Sequence, residues 1–291
     1  MRMEYVRVGS RGHLFTWMEP YHTNVYVIDG TRHVFVVDTF LGPDPMDDLK
    51  ARLAREGVEG KPFVVFNTHA DYDHFWGNQS FEGSMIVAQE AALHRIRTQG
   101  EEGLRENWGQ MRGEVRLTPP NLLFRKKLTF VEDRVEFFYT PGHTGDSSSC
   151  YDSLDKILLP GDNLEAPYPY VNLLNLKEYT QSLEEYLKLE ARVIIPGHDP
   201  PQRDGQLLRQ NLNYIRSMAS GHVDLAAMSQ RELRAHYPNT IRLAELYTEK
   251  VDANKAKSYY GEALRVLDLL EPSPEHEERR REIAARLSMF G

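Results

Sequence analysis

Four potential metal ligands lie within six residues of one another in this sequence, and they constrain the fold more than any other feature. They are His69, Asp71, Asp73 and His74. They follow an apolar, partly β-branched run at 62–66, which predicts a buried strand, so their side chains would lie at its carboxyl end, where α/β sheets form binding crevices. Two imidazoles and two carboxylates can hardly be buried together unless they share a metal ion. The segment 67–74 therefore predicts a metal-binding loop.

Three more potential ligands follow predicted strands in the second half of the chain. They are His143, Asp162 and His198, after the runs at 135–139, 156–159 and 192–195. Taken alone, His143 could be an ordinary histidine of the core or of a loop, and Asp162 could cap a turn through its own side chain. Taken with the loop, they give seven ligands from four segments, which is the number that a two-metal centre needs. Imidazole and carboxylate suit zinc, iron and manganese, and Asp162 would bridge the two ions.

The composition argues against several classes of partner. A formal charge of −8 gives no overall attraction for a polyanion, so nucleic acid is not expected, although a local basic patch could be hidden in the total. No run of 18 apolar residues is present, which argues against membrane insertion. The first ten residues lack an apolar signal core, and the single cysteine, Cys150, cannot form an internal disulfide. We therefore expect a cytoplasmic protein that acts on a small-molecule substrate.

The first half of the chain shows both strand and helix patterns. The segment 24–38 predicts a β-hairpin, and Asp44 and Pro45 predict the N-cap and first turn of a helix. A further helix is predicted at 89–98. From 99 to 121 no period is clear, which predicts an irregular excursion that could serve as a lid.

A helical pattern dominates the end of the chain. An apolar stripe from Leu176 to Leu187 predicts a helix before the last predicted strand. Beyond residue 205, apolar residues recur at spacings of three and four until the break at Pro272. Such stripes would favour aggregation if they were exposed, so we expect them to pack on the rest of the chain or on a second copy. The pattern divides the chain into a metal-binding domain, 1–205, and a C-terminal helical extension, 206–291, through which a homodimer could form.

With its loop and its later single ligands, the sequence resembles the metallo-β-lactamase superfamily, the αββα metallohydrolases. The hallmark of that family is a His-x-His-x-Asp-His loop followed by single His, Asp and His ligands, and the resemblance spans roughly 24–198. It implies an α/β fold, a four-layer αββα sandwich, to which the C-terminal helices are added. It also implies the ligand sets: His69, Asp71 and His143 for the first metal, Asp73, His74 and His198 for the second, and Asp162 shared.

One position of the loop departs from the family pattern. Asp71 stands where a second histidine is usual, and its hard, anionic oxygen should shift the metal preference from zinc toward iron or manganese. The flavodiiron branch also has a carboxylate there, usually Glu, so the change is compatible with a dinuclear centre. Asp162 stands where zinc β-lactamases have Cys, and 163–170 lacks the Gly-Cys-Gly-Arg-Phe-like run of glyoxalase II. The resemblance therefore favours neither antibiotic hydrolysis nor a glyoxalase II activity.

The favoured function is hydrolysis of an ester, thioester or lactone at two divalent metal ions. A bridging hydroxide would attack the carbonyl carbon, with Asp73 and Asp162 as catalytic ligands and Asp73 orienting the hydroxide. Tyr168 and Tyr170 follow the shared ligand closely enough to line the pocket and donate to an oxyanion, or they pack as aromatic residues on a proline-rich loop. Two alternatives stay open. One is a diiron protein that binds or reduces dioxygen or nitric oxide, motivated by Asp71; the other is a non-catalytic metal or ligand sensor with its helices as a partner surface.

Overall fold

The computed structural model describes residues 2–290. Its strands are β1 (Met3–Val8), β2 (Gly12–Trp17), β3 (Thr23–Asp29), β4 (Val34–Val37), β5 (Phe63–Phe66), β6 (Met85–Gln89), β7 (Leu122–Phe124), β8 (Lys127–Phe130), β9 (Val135–Tyr139), β10 (Ser148–Asp152), β11 (Ile157–Gly161) and β12 (Val193–Pro196). Its helices are α1 (Pro43–Arg55), α2 (Tyr72–Phe75), α3 (Glu90–Glu106), α4 (Leu176–Lys188), α5 (Gln206–Ser220), α6 (Gln230–Glu249), α7 (Ala253–Leu269) and α8 (Pro274–Ser288).

The strands form two sheets. In the first, β1 to β7 lie side by side in chain order, antiparallel from β1 to β4 and parallel from β4 to β7. In the second, the order is β12-β11-β10-β9-β8, with β11 and β12 parallel and the other neighbours antiparallel. β9, β11 and β12 therefore run in the same direction, and their carboxyl ends lie at one edge of the second sheet.

Side chains along each strand point alternately to the two faces of its sheet. One core therefore lies between the sheets, and a further core lies on the outer side of each sheet. In β4, Phe35 faces the second sheet, whereas Val36 faces the layer of α1 and α3. Between the sheets, Phe66 stacks on Phe137 with ring centroids 4.1 Å apart. On the outer side of the second sheet, Leu158 packs with α4 and α5. The layers follow the order helix, sheet, sheet, helix, so the predicted four-layer α/β sandwich is confirmed.

The C-terminal helices are added to this sandwich. The apolar face of α5, with Leu208 and Ile215, joins the same core as Tyr179 of α4, while α6, α7 and α8 build a core of their own around Tyr260. The helical extension is confirmed, whereas a domain boundary between 205 and 206 stays a prediction. Across residues 2–290, no helix combines the length with the apolar character that a bilayer crossing demands.

Two sequence-based boundaries were wrong. The first helix begins at Pro43, and its N-cap is Gly42, two residues before the predicted cap at Asp44. The third helix runs to Glu106, so the first part of the segment expected to be irregular is helical. Gly100 lies within this helix, and its missing side chain makes room for Leu117, because a Cβ there would lie 2.9 Å from Leu117 Cδ1. Leu117 and its neighbours pack on the outer core instead of forming a lid.

Candidate metal centre

The seven predicted ligands come together at the carboxyl ends of four strands. β5 leads into the loop with His69, Asp71, Asp73 and His74, and β9, β11 and β12 lead to His143, Asp162 and His198. The Oδ2 atom of Asp162 lies in the middle, 3.1 Å from Nε2 of His198, 3.3 Å from Nε2 of His74, 3.6 Å from Nε2 of His69 and 4.0 Å from Nε2 of His143. One carboxylate oxygen close to four imidazole nitrogens has the position that a shared ligand requires.

The first predicted ligand set is closely spaced. Asp71 Oδ2 lies 3.3 Å from His69 Nε2 and 3.2 Å from His143 Nε2. Ligand atoms at about 2.0–2.1 Å from a tetrahedral ion are separated by roughly 3.3 Å. The spacing of these three side chains therefore suits one ion.

The second set has similar spacing. Asp73 Oδ1 lies 3.7 Å from His74 Nε2, and its Oδ2 lies 3.4 Å from His198 Nε2. The hydroxyl of Tyr21 donates to Asp73 Oδ2 over 3.0 Å, which fixes the orientation of the carboxylate. A second ion would fit among these three ligands.

Several buried atoms that face this space have no hydrogen-bond partner in the described chain. They are Nε2 of His69, Nε2 of His74 and Oδ1 of Asp162. Buried polar groups in folded proteins almost always have a partner, and a lone pair on imidazole or carboxylate is satisfied by a divalent cation. These residues therefore fit a metal centre by their chemistry.

All four imidazole rings are held through Nδ1, so that Nε2 faces the centre. Nδ1 of His143 donates to the carbonyl of Tyr170 over 3.1 Å, and Nδ1 of His198 donates to the carbonyl of His22 over 2.8 Å. Nδ1 of His69 lies 3.0 Å from Thr68 Oγ1 and Nδ1 of His74 lies 2.8 Å from Asp38 Oδ2. Such partners of the remote nitrogen orient the ring of a metal-ligating histidine and raise its basicity.

Asp38 contributes more than one of these contacts. Its carboxylate also accepts hydrogen bonds from the backbone N–H and the hydroxyl of Thr68, both over 2.8 Å. Its φ of 63° is in the left-handed region that non-glycine residues rarely adopt, and strain of this kind is often found at functional sites. Asp38 was not predicted as a site residue, although it follows a strand in the same way as the predicted ligands do.

The site has a strongly negative potential. Burial opposes a charged imidazole at His143, but the carboxylates of Asp71 and Asp162 outweigh burial and raise the pKa of His143 to about 9. The same balance raises the pKa of His198 to about 10. For Asp162, burial is again the largest effect, but the surrounding imidazoles prevail and hold the pKa of its carboxyl well below its usual value. A field that favours protons on imidazole also attracts divalent cations.

An ion pair that could not be predicted from the sequence connects α3 to the metal-binding loop. Arg95 donates to Asp71 Oδ1 over 2.6 Å and to Asp146 Oδ1 over 2.6 Å. Asp146, whose side chain is fully buried, also accepts the backbone N–H of Ala70 over 2.7 Å. Arg95 therefore binds one oxygen of Asp71 and leaves the other directed at His69 and His143. No pattern in the sequence connects α3 with the loop, whereas Asp146 could have been found because it lies three residues after His143.

A cavity of about 490 Å³ opens at the predicted ligands. Besides the predicted ligands, its walls include Tyr21, Tyr72, Glu165 and Tyr170. Burial and the negative charge of Asp162 raise the pKa of Glu165 to about 7. Tyr170 is about half exposed and lines this cavity, as expected for a residue that contacts the substrate. Its role in substrate binding stays a prediction.

Tyr168 lies elsewhere. Its ring stacks on Tyr214 of α5 at 3.8 Å between centroids, and its hydroxyl donates to Glu232 of α6 over 3.0 Å. It does not line the cavity beside the ligands, so the structure favours the alternative of aromatic packing for this residue.

Comparison with protein families gives an independent result. Residues 18–198 match the model of the metallo-β-lactamase superfamily. The acyl-coenzyme A thioesterase MBLAC2 of Gallus gallus is 25% identical over 245 residues, which cover 75% of this chain and 87% of that protein. An N-acyl homoserine lactonase of Bacillus thuringiensis is 28% identical over 173 residues, 52% of this chain and 61% of that protein.

Solved structures show the same fold. A metallo-β-lactamase from Pontibacter korlensis superposes with a TM-score of 0.58 at 19% identity, covering 74% of this chain and 99% of that one. The metallo-β-lactamase FIM-1 from Pseudomonas aeruginosa gives 0.61 at 15% identity, covering 75% and 97%. Since the family model matches well over half of the chain, the protein belongs to the metallo-β-lactamase superfamily and is a metal-dependent hydrolase of that type.

Proposed function

We propose that the chain binds two divalent metal ions at its seven ligands and hydrolyses a thioester, a lactone or a simple ester. The observation that carries the proposal is the position of Asp162 Oδ2, within 4.0 Å of all four imidazole Nε2 atoms. The names of the relatives, acyl-coenzyme A thioesterase and N-acyl homoserine lactonase, describe attack on an acyl carbon. Zinc, iron and manganese are the candidate metals, and the buried Cys150 is consistent with a cytoplasmic location.

The residues around the centre have different roles in this proposal. When bound, the two ions supply a water of lowered pKa and polarise the substrate carbonyl. Asp162 joins the two ligand sets, while Asp73, fixed by Tyr21, orients the attacking oxygen. The phenol of Tyr170 is placed at the cavity, where it can donate to the oxyanion that develops on the carbonyl oxygen.

Metal analysis combined with turnover tests this proposal. Wild-type protein reconstituted with zinc, manganese or iron should contain two ions per chain and hydrolyse thioesters or lactones. Asp162→Asn should lose most of this activity. Asp48→Asn, which changes an exposed carboxyl on α1, should retain it. One ion or none after reconstitution, or full activity in Asp162→Asn, would refute the dinuclear mechanism.

The diiron alternative is favoured by one observation, the carboxylate of Asp71 beside His69 and His143. Against it, the described residues after His198 fold into four helices and not into a phosphate-cradling α/β domain for a flavin. Iron-loaded protein that shows a visible absorption band responding to dioxygen or nitric oxide, without acyl hydrolysis under any metal, would favour this alternative. Metal binding with neither activity would favour a sensor.

A further inference from the structure

An arginine-rich groove lies between α6 and α8. Its volume is about 600 Å³, and four arginines line it: Arg234, Arg242, Arg279 and Arg286. The acidic residues of its lining are Glu245 and Glu282, so arginine predominates. The metal cavity, by contrast, is lined by four carboxyl groups. In a chain with a formal charge of −8, such a concentration of guanidinium groups favours an anionic ligand.

The groove and the metal cavity share a wall. Tyr170 lines both of them. Asn172 lines the groove, and its Nδ2 atom lies 3.5 Å from Nε2 of His143. A ligand in the groove would therefore lie next to the first metal site, and a single long substrate could occupy both.

Two of the arginines are free to exchange partners. The side chains of Arg234 and Arg242 are 61% and 40% exposed, and their distances to Glu271 and Glu245 are 3.4 and 3.9 Å. Exposed pairs of this kind contribute little to stability. A guanidinium group binds two oxygens of a phosphate at once, so a phosphate can compete with these glutamates. Arg279 and Arg286 contact Tyr237 and Glu245, and therefore also hold α8 against α6.

We propose that the groove binds the phosphorylated nucleotide part of a coenzyme A thioester while the acyl group lies at the metal site. The inference rests on the proposed hydrolase function and narrows its substrate class to coenzyme A thioesters. Coenzyme A carries its phosphates and its thioester at opposite ends of a flexible arm, so it needs a basic site that is separate from the reacting carbonyl and continuous with it. In the reaction, water adds to the acyl carbon, the carbon–sulfur bond breaks, and the products are a carboxylic acid and the free thiol of coenzyme A.

Two thioesters that differ only in the nucleotide test the proposal. Acetyl-coenzyme A and S-acetyl-pantetheine present the same acyl group, but only the first carries the nucleotide phosphates. The metal-loaded enzyme should have a lower KM for acetyl-coenzyme A. Arg242→Gln should raise that KM about tenfold, because a charge-assisted hydrogen bond is lost, and should leave kcat and the KM for S-acetyl-pantetheine unchanged.

Matched variants separate the groove from general effects of charge. Arg265→Gln removes an exposed arginine of α7 that pairs with Glu262 three residues earlier, much as Arg242 pairs with Glu245 three residues later. It lies outside the groove lining and should change neither KM. Arg234→Gln is a second groove variant and should repeat the effect of Arg242→Gln. Equal KM values for the two thioesters, or equal effects of Arg242→Gln on both, would overturn the proposal.

Binding measurements test the groove proposal independently of the hydrolase function. Calorimetric titration with free coenzyme A requires no turnover. If neither thioester is hydrolysed under any metal, the proposed function fails; coenzyme A binding that weakens about tenfold in Arg242→Gln would still support the groove. If both thioesters are hydrolysed and coenzyme A does not bind, the function stands and the groove proposal fails.

Discussion

Replacing Asn239 of α6 by alanine should show that the helical extension controls the metal site. Asn239 is almost fully buried, and its Oδ1 accepts the backbone N–H of Val171 over 2.8 Å. Its Nδ2 donates to the carbonyl of Pro169 over 2.9 Å. These bonds flank Tyr170, whose carbonyl accepts the Nδ1 proton of His143. The side chain of one helix thus fixes the loop that orients a predicted ligand.

The size of the effect follows from these contacts. Asn239→Ala leaves the Val171 N–H and the Pro169 carbonyl buried without their partner, and each such group costs about 1–3 kcal/mol. We expect the free energy of unfolding to fall by about 3 kcal/mol, which would lower Tm by roughly 6–12 °C for a chain of this size. Loss of an outer partner of a ligating histidine typically weakens metal binding, so the affinity of the first site should fall by about 10–100-fold.

Two measurements on the same protein test this prediction. Denaturation of the metal-free protein gives the change in stability, and competition with a chromophoric chelator gives the metal affinity. Asn254→Ala, at an exposed position near the start of α7, is the matched control and should change neither value. A loss of stability with unchanged metal affinity would refute the link between Asn239 and His143, and unchanged stability would refute the hydrogen-bond argument itself.

The remaining predictions concern the centre itself. Asp162→Ala should reduce turnover by more than about 100-fold with the fold intact, as judged by circular dichroism, because it removes the shared ligand; retained activity would place the chemistry elsewhere. Asp71→His should raise the affinity for zinc relative to iron in competition binding, and an unchanged preference would argue against Asp71 as a ligand. In the metal-free protein, the pKa values of His143 and His198, about 9 and about 10, exceed the unfolded value near 6.5. The stabilisation by these histidines is therefore full below about pH 6.5 and is lost as pH rises through 9–10, by on the order of 3–5 kcal/mol for each histidine. Urea unfolding in the presence of a chelator should show this decline, and saturating zinc should remove it because metal binds the unprotonated rings.

The clustering of the seven candidate ligands could be predicted from the sequence for a physical reason. Residues such as His69 and Asp162 are polar and stand where apolar strands end, and this contrast is visible without tertiary information. The four-layer order followed from the resemblance to a family and not from the residues alone. The division of the ligands between two ions remains a prediction that the spacing of the side chains supports.

Features that depend on contacts between distant elements were not predictable. Tyr168 and Tyr170 have similar sequence surroundings, and only the packing of α5 and α6 against the loop decides that one stacks on Tyr214 while the other faces the cavity. No helical period is visible beyond residue 98, yet α3 continues through Gly100, where the close approach of Leu117 leaves little room for a side chain. The helix α6 contains Pro238, and a proline inside a helix interrupts the pattern by which a helix is recognised from sequence.

The pair of Asp71 and Arg95 bears on the choice of metal. If residue 71 were neutral, the buried carboxylate of Asp146 would still carry one negative charge beside the loop. Asp71 adds a second negative charge, and Arg95, which binds both carboxylates, offsets one of the two. The three side chains therefore carry one net negative charge, whereas a neutral residue 71 would leave none. A carboxylate at residue 71 thus changes both the hardness of a predicted ligand and the local charge, and the charge attracts every divalent cation alike. Any preference for iron or manganese over zinc at the first site should accordingly follow from the oxygen of Asp71.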